Sequence, residues 1–408
     1  MVDPRAARIV ELSDGWRTGR EAEAEIISIL RDTPPAELET VLDDLDVDKL
    51  LGDVDDHRWG PDHRSELIDL LLRERIEALS PQMVAVILAA LHSGPTPRTH
   101  QEAIVEVLTS RTGEDFHDLK YRLNTRGDYH DLEHLVFEDL DEDLRDRLLE
   151  HFAEQATVDP TSDLRVLCDI DDTLKCAIHD DRYPKGTIYP GIVALLHALD
   201  EGAAEEPNRA GDLTFVTARP GGPSGVVEQY TLNGLSELGL PPHSVLGGSL
   251  LNLHTKARIA ERKLQNMERD RLLFPECRMV FIGDSGQADG KVGAEMHARD
   301  PEHIVGTLLH NVTEVHASAA QEYAELGVHV FDTYAGAAAH AVRLGLIRVD
   351  QAREVAAATR DELGALTDLT DEQRSLLEEK LAADEAAIET LAREAPVDEA
   401  AAGRGTAD

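Results

Sequence analysis

Three carboxylates directly follow a strongly apolar segment near the middle of the chain. Residues 164–168 read Leu-Arg-Val-Leu-Cys, which predicts a buried strand, and the chain continues with Asp169, Asp171 and Asp172. Carboxylates at the carboxyl end of a strand lie at the edge of an open α/β sheet where ligands bind. Because Asp169 and Asp171 are two residues apart, one can reach a reacting centre from the strand and the other from the adjoining turn. This spacing suits a nucleophile and an acid.

Three later segments could complete such a site. Thr217 ends a second apolar run, and the backbone amides that follow it could hold a phosphate. Lys263 lies in a predicted helix, where its ammonium could neutralise both a nucleophilic carboxylate and a transferring phosphoryl group. Asp284 and Asp289 follow a third apolar run. They supply the hard oxygen ligands that Mg²⁺ prefers.

In chain order, these four segments resemble the four motifs of the haloacid dehalogenase (HAD) superfamily, whose phosphotransferases use an aspartate nucleophile. A narrower resemblance is to the catalytic domain of the actin-patch-associated phosphatidate phosphatase family. It rests on Asp-Ile-Asp-Asp-Thr-Leu-Lys at 169–175, Lys-Leu-Gln-Asn-Met at 263–267, Phe-Pro at 274–275 and Phe-Ile-Gly-Asp-Ser-Gly-Gln-Ala-Asp at 281–289. The resemblance covers roughly residues 163–345. The second motif departs from the family pattern, because Thr-Ala-Arg-Pro stands at 217–220 where Ser-Asn-Ser-Pro is common.

The resemblance implies an enzyme, a Mg²⁺-dependent phosphomonoester hydrolase that works through an aspartyl-phosphate. It implies that the nucleophile is Asp169, that the general acid and base is Asp171, and that the phosphoryl group is bound by Thr217, Ala218 and Lys263. It also implies that Mg²⁺ is held by Asp169, the backbone carbonyl of Asp171, Asp284 and Asp289. The second acid favours a phosphatase over a dehalogenase, because an alkoxide leaving group needs a proton and a halide does not.

The sequence leaves alternatives for the lysine and for the substrate. Lys256 is a rival to Lys263, which we prefer because it stands 21 residues before Asp284 with Phe-Pro between them. Phosphatidate or a related phospholipid is the leading substrate, and a soluble metabolite or a phosphoprotein is the alternative. A different class is a non-catalytic helical interaction protein whose α/β part senses phosphate or Mg²⁺. The intact Asp171 argues against that class, because a pure binder needs no general acid.

The spacing of apolar residues divides the chain into parts. Residues 1–160 predict an all-helical domain of unknown role, with about six helices. Residues 161–350 contain five short apolar runs that alternate with helical patterns. They predict an α/β domain that is HAD-like and Rossmann-like, with a mostly parallel sheet and helices on both faces. Residues 351–394 predict a helical extension, and residues 395–408 predict a disordered tail.

The predicted C-terminal helix carries a single apolar stripe. Thr370 and Gln373 form a capping-box pattern at its start. The stripe consists of Leu377, Leu381, Ile388 and Leu391. A narrow stripe of this kind is buried against something, and we expect the partner to be the helical half of the chain or a second copy of it.

Composition restricts the partners of the protein. Among 408 residues, 80 acidic and 40 basic side chains give a formal charge of −40. This balance excludes duplex nucleic acid as the main partner and opposes contact with an anionic membrane; it is also compatible with a salt-adapted source. Three cysteines without a CxxC pair favour a reducing compartment, and no apolar run reaches membrane-spanning length. We therefore expect a cytoplasmic protein without a transmembrane segment.

Overall fold

A computed structural model of the chain contains two compact units. It describes residues 2–14, 18–54, 62–124, 132–158, 163–205, 207–209, 211–221, 235, 238–249 and 256–394, with only the backbone described for 217–221, 246–249 and 256–259. The first unit consists of Met1–Thr161 together with Leu272–Glu276. The second consists of Ser162–Arg271 and Cys277–Asp408. The predicted tail, 395–408, lies outside the described residues.

Helices make up the first unit. Its described part contains ten α-helices: α1 (Pro4–Leu12), α2 (Arg20–Asp32), α3 (Pro35–Asp43), α4 (Val47–Asp53), α5 (His63–Asp69), α6 (Pro81–Leu91), α7 (Arg98–Thr109), α8 (Gly113–Asn124), α9 (Leu132–His134) and α10 (Glu142–Val158). The sequence predicted about six. The additional helices are short, and several begin at a cap instead of a long apolar stripe: the side chains of Asp3, Asp46 and Asp62 each accept a hydrogen bond from a backbone amide of the first turn.

A buried ion pair holds the separate segment of this unit in place. Lys120 on α8 is fully buried, and its Nζ donates to the Glu276 carboxylate and, over 3.0 Å, to the carbonyl oxygen of Leu273. Burial raises the pKa of Glu276, but Lys120 and His117 together outweigh it and lower that pKa to about 2. The segment therefore supplies the negative charge that a buried lysine requires.

The second unit contains a sheet of six parallel strands. They are β1 (Leu164–Cys168), β2 (Leu213–Gly221), β3 (His243–Ser249), β4 (Arg278–Asp284), β5 (Ile304–His310) and β6 (Val328–Phe331). Their order in the sheet is β3-β2-β1-β4-β5-β6, and every neighbouring pair is parallel. The five predicted strands are present, and β3 at the sheet edge is a sixth that the sequence analysis missed. The unit has an α/β, Rossmann-like fold.

Apolar cores cover both faces of this sheet. The described helices are α11 (Ile192–Glu201), α12 (Lys256–Leu273), α13 (Asp289–Arg299), α14 (Ala317–Glu325), α15 (Tyr334–Arg343), α16 (Val349–Ala365) and α17 (Asp371–Glu394). Alternate residues of β1 point to opposite faces, as the pleat requires. Val166 joins the larger core with α11, α15, α16 and α17, whereas Leu167 joins a smaller core with α12 and α13. Helices on both faces explain why β1, β4 and β5 are almost entirely buried.

The C-terminal helix packs on the α/β unit. Thr370 and Gln373 form the expected capping box, with reciprocal hydrogen bonds of 2.9 and 3.2 Å. The stripe residues Leu377, Leu381 and Ile388 are buried in the larger core. The predicted partner, the helical half or a second copy, is therefore wrong, because the α/β unit itself covers the stripe. In the described part of the chain, no helix combines the length and hydropathy needed to cross a membrane.

Candidate active site

The acidic residues meet where the strand order reverses. β1 lies between β2 and β4, so the chain leaves β1 in one direction along the sheet and later returns to its other side. The crevice at the carboxyl ends of such a pair of strands is where open α/β sheets bind ligands. Asp169 directly follows β1, and its amide donates to the carbonyl of Ile282 in β4 over 2.9 Å. Asp284 ends β4. The fold thus brings together two carboxylates that are 115 positions apart in the chain.

Lys263 on α12 lies between two of the carboxylates. Its Nζ is 2.9 Å from Asp169 Oδ1 and 2.6 Å from Asp289 Oδ1. Only 1% of Lys263 is exposed, so both contacts are shielded from water. Burial lowers the pKa of Lys263, but the charges of Asp169 and Asp289 outweigh this effect and raise the pKa above its usual value. The ammonium is therefore a fixed positive charge beside Asp169.

A buried ion pair holds α12 against the sheet. Arg165, near the start of β1, is fully buried and donates to both carboxylate oxygens of Asp270, over 3.2 and 2.6 Å. Asp270 lies seven residues after Lys263, about 10 Å along a helix, while Arg165 lies four residues before Asp169, about 13 Å along a strand. The two pairs therefore clamp α12 antiparallel to β1, and the clamp sets where the lysine reaches the site.

The three buried carboxylates suit a divalent cation. Asp169, Asp284 and Asp289 are each at most 3% exposed, and one oxygen of each lies within 4.8 Å of the others. Asp169 Oδ2 is buried without a hydrogen-bond partner in the described structure. With one ammonium against three carboxylates, two negative charges are left in excess. Hard oxygen donors with this excess charge match Mg²⁺ in ligand type and in charge.

The proximity of these charges affects their protonation. Burial and the charge of Asp289 raise the pKa of Asp169 to about 7, although the charge of Lys263 opposes the rise. Asp171 adds to the rise, so its charge lies near Asp169. Burial and the neighbouring carboxylates raise the pKa of Asp284 to about 8. Without a further cation, the cluster therefore retains protons near neutral pH.

The loop after β4 orients Asp284. Asp284 Oδ1 accepts hydrogen bonds from the amides of Gly286 and Gln287, and Oδ2 accepts from the Gln287 side chain over 3.0 Å. A Cβ added at Gly283 would lie 2.6 Å from Asp289 Oδ2, so glycine leaves room for that carboxylate. The same Gln287 side chain lies 3.4 Å from the backbone carbonyl of Asp171. This loop thus connects the first and fourth motifs.

Asp172 organises the segment that follows the first motif. It adopts a left-handed conformation with φ of 61°, and its carboxylate accepts from the amides of Ala177, Ile178 and His179 over 2.7 to 2.8 Å. The ring Nδ1 of His179 lies 2.9 Å from the same carboxylate. Asp172, His179 and Asp284 also form a compact group of possible ligands. Because these four hydrogen bonds already occupy the Asp172 oxygens, we do not assign a cation to that group.

The predicted phosphate-binding residues are placed by their backbone. Thr217 and Ala218 lie in β2, beside β1, where the pairing with β3 is interrupted between Val216 and Pro220. The carboxyl ends of parallel strands share one edge, so this segment lies at the same edge as Asp169. The side chains of Thr217, Ala218 and Lys256 lie outside the described residues. Of the two lysine candidates, the structure therefore positions the side chain of Lys263.

Sequence reasoning missed several residues that shape this site. His179 belongs to no recognised sequence pattern. It lies at the cluster because its backbone amide and ring Nδ1 both contact the Asp172 carboxylate. Arg165 could have been noticed in the sequence, because an arginine inside an otherwise apolar strand requires a buried acidic partner. Comparison with known proteins gives no further guidance: no protein-family model, curated protein or solved structure matches the chain.

Proposed function

We propose that the protein is a Mg²⁺-dependent phosphomonoester hydrolase that works through an aspartyl-phosphate on Asp169. The observation that carries the proposal is the contact of Lys263 with both Asp169 and Asp289, beside a third buried carboxylate, at the point where the strand order reverses. A buried carboxylate with one oxygen on an ammonium and the other without a partner is oriented for attack on an electrophile. The motif order that resembles HAD phosphatases supports the same chemistry.

Each residue has a role in a two-step reaction. The Asp169 carboxylate attacks phosphorus, the bond from phosphorus to the ester oxygen breaks, and Asp171 gives its proton to the leaving alcohol. Asp171 then takes a proton from water, which attacks the aspartyl-phosphate and releases inorganic phosphate. Lys263 balances the negative charge that the phosphoryl oxygens bring beside Asp169.

The acidic cluster would hold the cation. Asp169, Asp284 and Asp289 are its side-chain ligands in this proposal, and the backbone carbonyl of Asp171 is a further one. When bound, the cation would offset the charge of the phosphoryl oxygens. Phosphatidate is the first substrate to test, because of the family resemblance, and soluble monoesters and phosphoproteins are the alternatives.

Phosphate release by the full chain tests the proposal. The panel contains an aryl phosphate, soluble monoesters and phosphatidate in mixed micelles, each with and without Mg²⁺. Asp169→Asn is the test variant, and Asp181→Asn, whose side chain is 98% exposed, is the control. We expect Mg²⁺-dependent release that disappears only in Asp169→Asn. Mg²⁺ binding without release from any member of the panel would instead favour the non-catalytic interaction protein.

A further inference from the structure

Beyond the buried cluster, the segment held by Asp172 presents two side chains at the edge of the candidate site. The amides of Ile178 and His179 both donate to the Asp172 carboxylate, which fixes the backbone of the two residues. Ile178 is nevertheless 59% exposed, and the His179 side chain is 30% exposed. An apolar side chain on a backbone fixed in this way is available to a ligand without first being ordered.

The His179 ring lies directly over the loop that follows Asp284. A Cβ added at Gly286 would approach the ring to 2.6 Å, so the ring packs on that glycine. One ring nitrogen lies within 4.8 Å of a carboxylate oxygen of Asp284, which is itself fully buried. The partly exposed ring therefore lies between the buried cluster and solvent.

The hydrogen bond to Asp172 determines which ring nitrogen is available. Nδ1 lies 2.9 Å from Asp172 Oδ2, and a carboxylate accepts hydrogen bonds, so Nδ1 carries the hydrogen. Within the described residues, no hydrogen bond to His179 Nε2 is found. Nε2 is thus the polar atom of this ring that can contact a ligand.

Buried polar contacts beneath this segment hold it in place. Arg182 donates to both oxygens of Asp180 over 2.9 Å and to His310 Nε2 over 3.0 Å. His310 Nδ1 in turn donates to the backbone carbonyl of Asp172 over 3.0 Å. Asp180 and His310 are almost completely buried. The segment is therefore supported from within the α/β unit and does not depend on a ligand for its shape.

We propose that Ile178 and His179 contact the alcohol portion of the substrate and select a phosphomonoester with an apolar alcohol. The inference rests on the proposed phosphatase function. Phosphorus must reach Asp169, which is only 3% exposed, so the exposed residues at the edge meet the part of the molecule that stays outside. Ile178 supplies apolar surface, and His179 Nε2 accepts one hydrogen bond from a hydroxyl of that alcohol portion. The two residues determine specificity and do not touch the reacting atoms.

Two substitutions of His179 separate this role from a structural one. His179→Asn keeps a donor near the position of Nδ1, and so the contact with Asp172, but loses the atom at Nε2. His179→Gln keeps a polar atom near Nε2 and loses the donor near Nδ1. We expect kcat/KM for an aryl phosphate that carries a ring hydroxyl to fall about five- to tenfold in His179→Asn, the effect of one hydrogen bond, and to stay within about threefold of wild type in His179→Gln. The inhibition constant of inorganic phosphate should stay within about twofold in both variants.

A second substitution tests the apolar contact. Ile178→Ser should raise KM for the aryl phosphate about three- to tenfold and leave KM for glycerol phosphate unchanged, because only the aryl group buries apolar surface. Asp181→Asn, on the same segment, is the control and should match wild type with both substrates.

The outcomes distinguish this inference from the function on which it rests. Wild type that releases no phosphate from any ester contradicts the proposed function. Active wild type with an unchanged His179→Asn, or with a loss confined to His179→Gln, overturns the inference and leaves His179 as a support for Asp172. In a further outcome, inorganic phosphate inhibits His179→Asn more weakly than wild type, by a factor that matches the loss in kcat/KM. That result also overturns the inference, because Nε2 would then contact the phosphoryl group.

Discussion

Replacing Lys263 by methionine tests the electrostatic account of the site. Lys263 is 1% exposed and its ammonium contacts Asp169 and Asp289, so Lys263→Met leaves the buried carboxylates without the cation that balances them. Removing one partner of a buried ion pair costs about 3–5 kcal/mol. For a unit of this size, that loss lowers the melting temperature by about 6–20 °C. Mg²⁺ should recover part of the loss, because it would restore positive charge to the cluster.

Scanning calorimetry of the full chain, with and without Mg²⁺, measures this effect. Lys291→Met is the control, because Lys291 is exposed on the neighbouring helix α13 and its loss should change stability by less than about 0.5 kcal/mol. Phosphatase activity of Lys263→Met should fall about 10²- to 10³-fold, as for other lost charge-stabilising groups. A melting temperature within 2 °C of wild type, or an equal loss in Lys291→Met, would contradict this electrostatic role of Lys263.

Three further predictions concern packing and protonation. Gly283→Ala should weaken Mg²⁺ binding, measured by titration calorimetry, because the new Cβ would lie 2.6 Å from Asp289 Oδ2. Gly293→Ala is the control: its Cβ would lie 2.1 Å from Thr307, so it should destabilise the fold without affecting Mg²⁺ binding. Glu276→Gln should destabilise the protein by about 3–5 kcal/mol in chemical unfolding at pH 7, because it leaves the buried Lys120 unneutralised, and an unchanged midpoint would contradict that pairing. Burial raises the pKa of Asp384 to about 6, so protonation of Asp384 stabilises the fold fully below about pH 4, and this stabilisation is lost as the pH rises through 6. Asp384→Asn should therefore be about 1–2 kcal/mol more stable than wild type at pH 8. Equal stability of the two proteins at pH 8 would contradict this prediction.

Local patterns in the sequence predicted much of the α/β unit. A strand that runs directly into carboxylates is a local signal, and parallel strands place their carboxyl ends at one edge, so the meeting of Asp169 and Asp284 could be anticipated. The edge strand β3 could not, because Val245 and Leu246 are followed by two glycines and resemble a loop. Its pairing with β2 supplies the stability that its own residues lack.

Contacts between distant residues account for the rest. The apolar stripe of α17 was visible, but its partner is set by tertiary packing, and the α/β unit covers Leu377 where another partner was expected. His179 reaches the candidate site through the left-handed turn at Asp172, a conformation uncommon for any residue other than glycine. The capping box at Thr370 was predicted correctly because it depends only on residues three apart.

Trapping a phosphorylated Asp169 tests the proposed mechanism most directly. The protein would turn over an aryl phosphate with Mg²⁺, and peptide mass spectrometry would then examine the segment that contains Asp169 and Asp171. Brief turnover quenched in acid would trap the phosphorylated form of the same peptide. We expect a phosphorylated Asp169 that is absent from Asp169→Asn. Hydrolysis that proceeds with no adduct on Asp169, or that continues in Asp169→Asn, would contradict it.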